Sequence, residues 1–309
     1  MSTESRATGT IPKSENARAY STDSVLSDDG TTIGYRQFGR GPGLILVHGG
    51  MMASHNFNKL AAALSDGFTV YVPDRRGRGF SGPFGEHYGM KKACEDLAAL
   101  LRKTDAHLVF GLSAGALIVL QAALMQPAIQ KIALYEPPLP LPGHPSPMAW
   151  VTRYDQELAQ GNLGAAMVSV IKGTGDSSLL TALPRFLLAP LMSLAIRAEA
   201  KEAKNDDVPL QVLIPTMHSD SQIIKDMEGS LEHFRVLQAK VLLLGGSKSA
   251  ESLKDALASL SLVLPHVQRI ELAGLGHSAA DNGGKPELVA QVLRRFFEET
   301  ATADPDGGR

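Results

Sequence analysis

Five residues, Gly111-Leu112-Ser113-Ala114-Gly115, follow a short apolar run at Leu108–Phe110 and open an apolar stretch that Pro127 ends. A serine held between glycines at a strand-to-helix turn is a nucleophile elbow. The turn is too tight for flanking side chains, and it lifts the hydroxyl above the C-terminal edge of a sheet. The N–H groups of the helix that starts there point at the same spot and suit a developing oxyanion. A serine hydroxyl is a weak nucleophile near neutral pH and needs a base. Of the nine histidines, His277, in Leu275-Gly276-His277-Ser278, stands between the last strand-like run and the last helical one. Such a loop emerges at the carboxyl edge of an open sheet, where ligands bind, so His277 is expected to be the base. His48-Gly49-Gly50 ends another apolar run, and glycines there let backbone approach a ligand closely. The N–H groups of Gly50 and Ala114 would form a two-donor oxyanion hole. The other eight histidines read as structural or surface residues, and of these His48 alone lies near this place. Each motif also has a plain reading: a chance serine loop, a surface histidine, an ordinary strand-to-helix turn.

These residues need elements to position them. Short apolar runs suited to strands buried on both faces occur at Gly43–Val47, Phe68–Val72, Leu108–Phe110 and Ile132–Tyr135, and further strands are expected at Lys240–Leu244 and Val267–Leu272. Helical patterns lie between them, and a hairpin turns at Asp28-Asp29-Gly30. Strands alternating with helices predict an α/β fold, a mostly parallel central sheet with helices on both faces. The rhythm breaks after Pro137. The expected organisation is a tail at 1–22, core at 23–137, a helical cap insertion at 138–232, core again at 233–299, and a tail at 300–309.

Composition narrows the function. The chain has 309 residues, 44% hydrophobic and 20% charged, and a formal charge of -2. This is globular composition with no basic footprint for nucleic acid. The single cysteine, Cys94, permits neither an internal disulfide nor a thiolate zinc site, and a cytoplasmic setting is expected. No metal ligands cluster, and the glycine-rich loops match no dinucleotide or phosphate-loop fingerprint, so no cofactor and no metal are expected. The apolar stretch Leu179–Ile196 contains Pro184, Arg185, Pro190 and Ser193, which argues against a membrane span and for a buried or pocket-lining helix pair.

In order, LILVHGG (44–50), YVPDRRGRGFSG (71–82), VFGLSAGA (109–116), IALYEPP (132–138), KVLLLGG (240–246) and LAGLGHS (272–278) resemble an α/β-hydrolase-fold serine hydrolase, of the esterase and lactonase kind. The resemblance covers about residues 23–298 apart from the insertion. It implies a triad of nucleophile, histidine and acid, with Asp74-Arg75-Arg76-Gly77 as a structural loop. Most members carry the acid just after the strand that here is Val241–Leu244. Here that stretch is Gly245-Gly246-Ser247-Lys248-Ser249-Ala250-Glu251, without aspartate. Other members place the acid after the strand that follows the nucleophile helix, where this chain has Glu136. Glu136 is the expected acid and Glu251 the alternative; Glu136 could instead pair with an arginine at the base of the insertion. A serine at the elbow argues against the related dehalogenases and epoxide hydrolases, which use aspartate.

In the insertion, Met148, Trp150, Met167, Phe186, Leu187, Leu188, Leu191, Met192 and Met217 are candidates for an apolar pocket above Ser113. Arg153, Arg185 and Arg197 are the few groups able to grip a charge. The expected substrate is therefore a small, mostly uncharged, hydrophobic ester or lactone. Carbon–carbon bond hydrolysis and cofactor-free perhydrolysis would use the same triad, and a non-catalytic ligand-binding protein would keep the fold. The oligomeric state is not encoded in any motif.

Overall fold

The computed structural model describes residues 20–175, 182–203 and 206–299. A hairpin opens the fold. β1 (Ser21–Leu26) and β2 (Thr32–Phe38) pair antiparallel, with Gly30 at φ +80° in the turn between them, where a side chain would be strained. β1 includes Ser21 and Thr22, which were expected to belong to the tail; residues 1–19 and 300–309 lie outside the described residues. The remaining core elements alternate: β3 (Gly43–Val47), α1 (Asn58–Leu64), β4 (Thr69–Pro73), α2 (Met90–Thr104), β5 (Leu108–Leu112), α3 (Ala114–Met125) and β6 (Lys131–Tyr135). After the insertion come β7 (Lys240–Gly246), α8 (Glu251–Val263), β8 (Val267–Leu272) and α9 (Pro286–Glu298).

The eight strands lie in the order β1-β2-β4-β3-β5-β6-β7-β8. β2 joins β4 antiparallel, and all pairs from β4 to β8 are parallel. From β3 the chain steps to β4 on one side and returns to β5 on the other. The crevice between the ends of β3 and β5 is thus a topological switch point, the usual ligand site of an open sheet.

Both faces of the central strands are buried, as the continuous apolar runs require. Val109, Ile132, Leu134, Val241 and Leu243 face one core with α2, α3 and α8. Phe110, Leu112, Ala133, Tyr135, Leu242 and Leu244 face the other, with α1 and α9. Each fully buried Leu or Ile here contributes roughly 1.5–3 kcal/mol relative to an exposed one. The helices end where local chemistry dictates. Asp105 caps α2 in the left-handed region at φ 50°, and Pro286 opens α9, where its missing N–H costs nothing.

Between β6 and β7 the described residues are helical: α4 (Val151–Ala159), α5 (Leu163–Thr174), α6 (Arg185–Glu202), a single turn at Leu210–Leu213 and α7 (Met217–Lys225). They share a small core of Tyr154, Ala166, Val170, Ile196, Ile214 and Met217, with Trp150 and Met167 packed against it. Within it, Trp150 stands edge-on to Tyr154, 5.9 Å between ring centres.

The Leu179–Ile196 stretch departs from expectation. Residues 179–181 lie outside the described residues, and from Arg185 on the stretch belongs to one helix, α6, that is mostly exposed rather than buried. Only Leu188 and Ile196 of α6 are buried, while Phe186, Leu187, Leu191 and Leu194 are exposed, Phe186 by 75%. Apolar residues at 186, 187, 191 and 194 outnumber the positions that one helix face can turn inward over so small a core. No described helix is long and apolar enough to cross a membrane.

Candidate active site

Ser113 sits at the turn between β5 and α3 with φ 55° and ψ −124°, a strained backbone for a non-glycine residue. Its N–H donates to Tyr135 O at 2.9 Å, and its carbonyl accepts from Ala116 N–H at 2.9 Å, so the strain is held from both sides. The flanking glycines are required by contact. A Cβ on Gly111 would lie 2.6 Å from Ala116 Cα, and one on Gly115 would lie 2.4 Å from the carbonyl oxygens of Val47 and His48.

Ser113 and His277 line one small cavity of about 70 Å³ with Pro138, Pro147, Met148, Gly173, Thr174, Met217, Ile224, Ser252 and Leu253. Of the expected pocket residues in the insertion, Met148 and Met217 are there. Trp150 and Met167 belong instead to the insertion's own core, and Phe186, Leu187 and Leu191 face outward. Arg153 and Arg185 pair with Glu157 and, like Arg197, do not line the cavity.

His277 Nδ1 lies 2.7 Å from Glu136 Oε2. The Glu136 side chain is 1% exposed, and its backbone is left-handed, φ 47°. Its other oxygen, Oε1, accepts the N–H of Gly246 at 2.6 Å. The carboxylate thus reaches past the end of β6 to the end of β7, beside the stretch where an aspartate is absent. Gly245 leaves room for it: a Cβ there would be 3.3 Å from Oε1. The histidine loop is fixed by Tyr135, whose hydroxyl donates to Gly276 O at 2.9 Å. It is fixed also by Lys248 N–H on Leu275 O. Glu251 is placed elsewhere, its side chain 79% exposed and 3.6 Å from Lys254 Nζ.

Gly49 packs against the elbow; a Cβ on it would be 3.2 Å from Ser113 Cβ. Among the described residues, no hydrogen-bond partner is found for the N–H of Gly50 or of Ala114, so both remain available as donors. His48 is fully buried. Its Nδ1 lies 2.9 Å from Gly49 O, and its Nε2 accepts Arg75 N–H at 3.2 Å. Burial, with Arg78 and Arg75 nearby, pushes its pKa well below the usual range, so it serves as a neutral structural link. Asp74 is likewise structural, accepting the N–H groups of Ser54 and Phe80. Arg76 pairs with Asp96 and Asp29.

Sequence reasoning left out Gly246, Tyr135 and Asp220. The Gly245-Gly246 pair was the available signal for the first. Nothing in the sequence marks Asp220, which lies on α7, 145 positions beyond its partner Arg75. Asp220 is fully buried, 2.7 Å from Arg75 and 3.3 Å from Arg78. Burial raises its pKa, but the two guanidiniums outweigh that and leave it below the carboxylate norm. A carboxylate with a depressed folded pKa stabilises fully above its unfolded value of about 3.9 and loses that contribution as pH falls through the folded value. The melting temperature will therefore hold level with respect to this group above about pH 5 and fall below about pH 4. The fall will be shallower in Asp220→Asn. An unchanged acid slope in that variant would contradict this placement.

Comparison with known proteins comes from three directions. A family model described as the alpha/beta hydrolase family matches residues 44–292. A cis-3-alkyl-4-alkyloxetan-2-one decarboxylase of Shewanella oneidensis is 26% identical, over 90% of this chain and 88% of its own. A pimeloyl-[acyl-carrier protein] methyl ester esterase of Xanthomonas campestris is 25% identical, over 84% and 96%. Among solved structures, an alpha/beta hydrolase from Sphaerobacter thermophilus superposes with a TM-score of 0.72 at 28% identity, covering 89% of this chain and all of that one.

Proposed function

The chain belongs to the alpha/beta hydrolase family, and we propose that within it this protein is a serine hydrolase of small, mostly uncharged esters or lactones. The observation that carries the reading is that Ser113 and His277 line one cavity with Glu136 on Nδ1 of the imidazole. Residues 138–232 serve as a cap over that cavity.

In this reading Ser113 Oγ attacks the substrate carbonyl while His277 Nε2 takes its proton. Glu136 holds the imidazole in the tautomer with hydrogen on Nδ1 and stabilises the imidazolium. The N–H groups of Gly50 and Ala114 receive the oxyanion. Collapse of the tetrahedral intermediate breaks the bond to the alcohol, which leaves with the proton from His277. Water, deprotonated by His277, then attacks the acyl-serine, and the acid is released with Ser113 restored. In a lactone the alcohol and acid stay joined as one hydroxy acid. The methyl ester in the name of one relative accords with this class.

The cavity's size and lining set the selectivity. Apart from His277 its lining residues carry no ionisable side chain, and two methionines and two prolines wall it. Among p-nitrophenyl esters, acetate and propionate will exceed octanoate by at least about tenfold in kcat/KM, since even one methylene in an apolar pocket shifts this ratio measurably. A panel of rising acyl length, run beside small lactones, checks it; a rise in kcat/KM through octanoate would overturn the size assignment. Absence of both turnover and fluorophosphonate labelling of Ser113 would favour a ligand-binding protein instead.

A further inference from the structure

The loop after β3, Gly49 to Met52, is held at three points by one buried ionic cluster. Arg75 donates from a terminal nitrogen to Gly49 O at 3.3 Å. Asp220 Oδ2 accepts the N–H of Met51 at 3.1 Å. Arg78 donates to Met52 O at 3.0 Å. The three side chains that make these bonds are themselves joined, since Asp220 Oδ1 is 2.7 Å from Arg75 and 3.3 Å from Arg78. None of the three side chains is more than 5% exposed. The arginines come from the loop after β4, whereas Asp220 comes from α7 in the insertion.

Two features tie this cluster to Gly50. The first is peptide geometry. The Gly49 carbonyl and the Gly50 N–H share one peptide unit; the described chain has no cis peptide bonds, and in a trans unit these groups point opposite ways. Holding the carbonyl therefore aims the N–H. The second is the residue that follows. Met51 is in the left-handed region at φ 50°, a conformation that side chains disfavour and that its bond to Asp220 retains. Gly50 itself lies against α7: a Cβ on it would be 3.1 Å from Met217 Sδ and 3.3 Å from Asp220 Oδ2. Met217 and Asp220 are three apart on α7, and Met217 lines the cavity. The same helix face thus touches the substrate space and the oxyanion loop.

The cluster is also unbalanced. Two guanidiniums share one carboxylate, and Arg75 Nε has no hydrogen-bond partner among the described residues. Net positive charge in a buried place beside the oxyanion loop favours a negative charge forming there, because low dielectric screens it little.

We infer that Asp220, Arg75 and Arg78 are positioning residues that aim the Gly50 N–H at the developing oxyanion, so that the inserted helix α7 completes the hydrolytic centre. The inference rests on the proposed role of Gly50 in ester hydrolysis. It revises the reading of Arg75 as loop structure alone.

The test compares Asp220→Asn with Asp96→Asn, which loosens the Arg76 pairing without touching residues 49–52. Wild-type protein is first shown to hydrolyse p-nitrophenyl acetate; no turnover there would refute the proposed function itself. In Asp220→Asn, kcat will fall about 10–100-fold with KM changed less than about threefold, the loss expected of a misaimed donor. Inhibition by an aryl trifluoromethyl ketone, whose hemiketal oxygen occupies the oxyanion position, will weaken by the same factor as kcat/KM. Asp96→Asn will lower the melting temperature and leave both readouts within about twofold, since no oxyanion donor depends on it. Asp220→Glu keeps the charge and serves if the asparagine variant does not fold; its losses will run in the same ratio. Unchanged kcat and ketone inhibition in a folded Asp220 variant would overturn the inference. So would a loss of kcat without weakened ketone binding, or failure of both variants to fold, which would assign the cluster to stability alone.

Discussion

Ser113→Ala will abolish ester turnover and leave the protein folded. Among the described residues the Ser113 side chain makes no hydrogen bond on which the elbow depends; the turn is held by backbone bonds to Tyr135 O and from Ala116 N–H. Alanine accepts the same bonds at the same strained dihedrals, so stability changes little. Loss of the nucleophile costs on the order of 10⁴-fold or more in kcat. His277→Ala will match it, and the double variant will be hardly worse than either, because a nucleophile and its base act as one unit. Turnover of p-nitrophenyl acetate, with circular dichroism as the check on folding, decides this. Near wild-type turnover in Ser113→Ala would sink the serine mechanism, and additive losses would mean that the two residues work apart.

Glu136→Gln will lower kcat by about 10³–10⁴-fold, while Glu251→Gln will stay within about twofold, as expected of an exposed surface substitution. The reason lies in the two bonds of one carboxylate. Oε1 accepts Gly246 N–H and Oε2 faces His277 Nδ1. An amide has a single oxygen. If it serves Gly246, the NH₂ group faces Nδ1 and favours the tautomer with hydrogen on Nε2, which cannot accept a proton from serine. The amide also cannot neutralise the imidazolium. Equal activity of the two variants, or a greater loss in Glu251→Gln, would move the acid away from β6.

Much of this was legible in the sequence, and for a physical reason. Strands buried on both faces must be continuously apolar, so β3, β4, β5, β6 and β7 announce themselves. A tight strand-to-helix turn demands glycines, so the elbow does too. Glu136 was reachable as a candidate because it directly follows a strand whose C-terminal end is fixed by that same pattern and because some members of the resembled family carry the acid at that place. The insertion was less readable. Its helices pack on a small core of their own, so an apolar residue there carries no sign of whether it faces the cavity, the core or water. Phe186 and Leu191 took the last course, Trp150 the second and Met148 the first. Asp220 was invisible because its meaning is a contact with Arg75, made across 145 positions.

The reach of Glu136 under the end of β7 has a consequence for how such a protein can be remodelled. Nucleophile and acid stand on neighbouring strands, joined by the single helix α3, so a strand–helix–strand module of residues 108–136 carries two members of the proposed triad as one inheritable and transplantable piece. The segment Ser247–Ala250 is thereby released from supplying the acid, and its remaining task is to brace the histidine loop through Lys248 N–H on Leu275 O and Ser247 Oγ, which accepts Gly274 N–H. It leads directly into Ser252 and Leu253 at the cavity wall. Randomising residues 248–250, with proline excluded at 248 so that its N–H still holds Leu275 O, can therefore retune which acyl groups are admitted while the machinery that cleaves them is inherited intact.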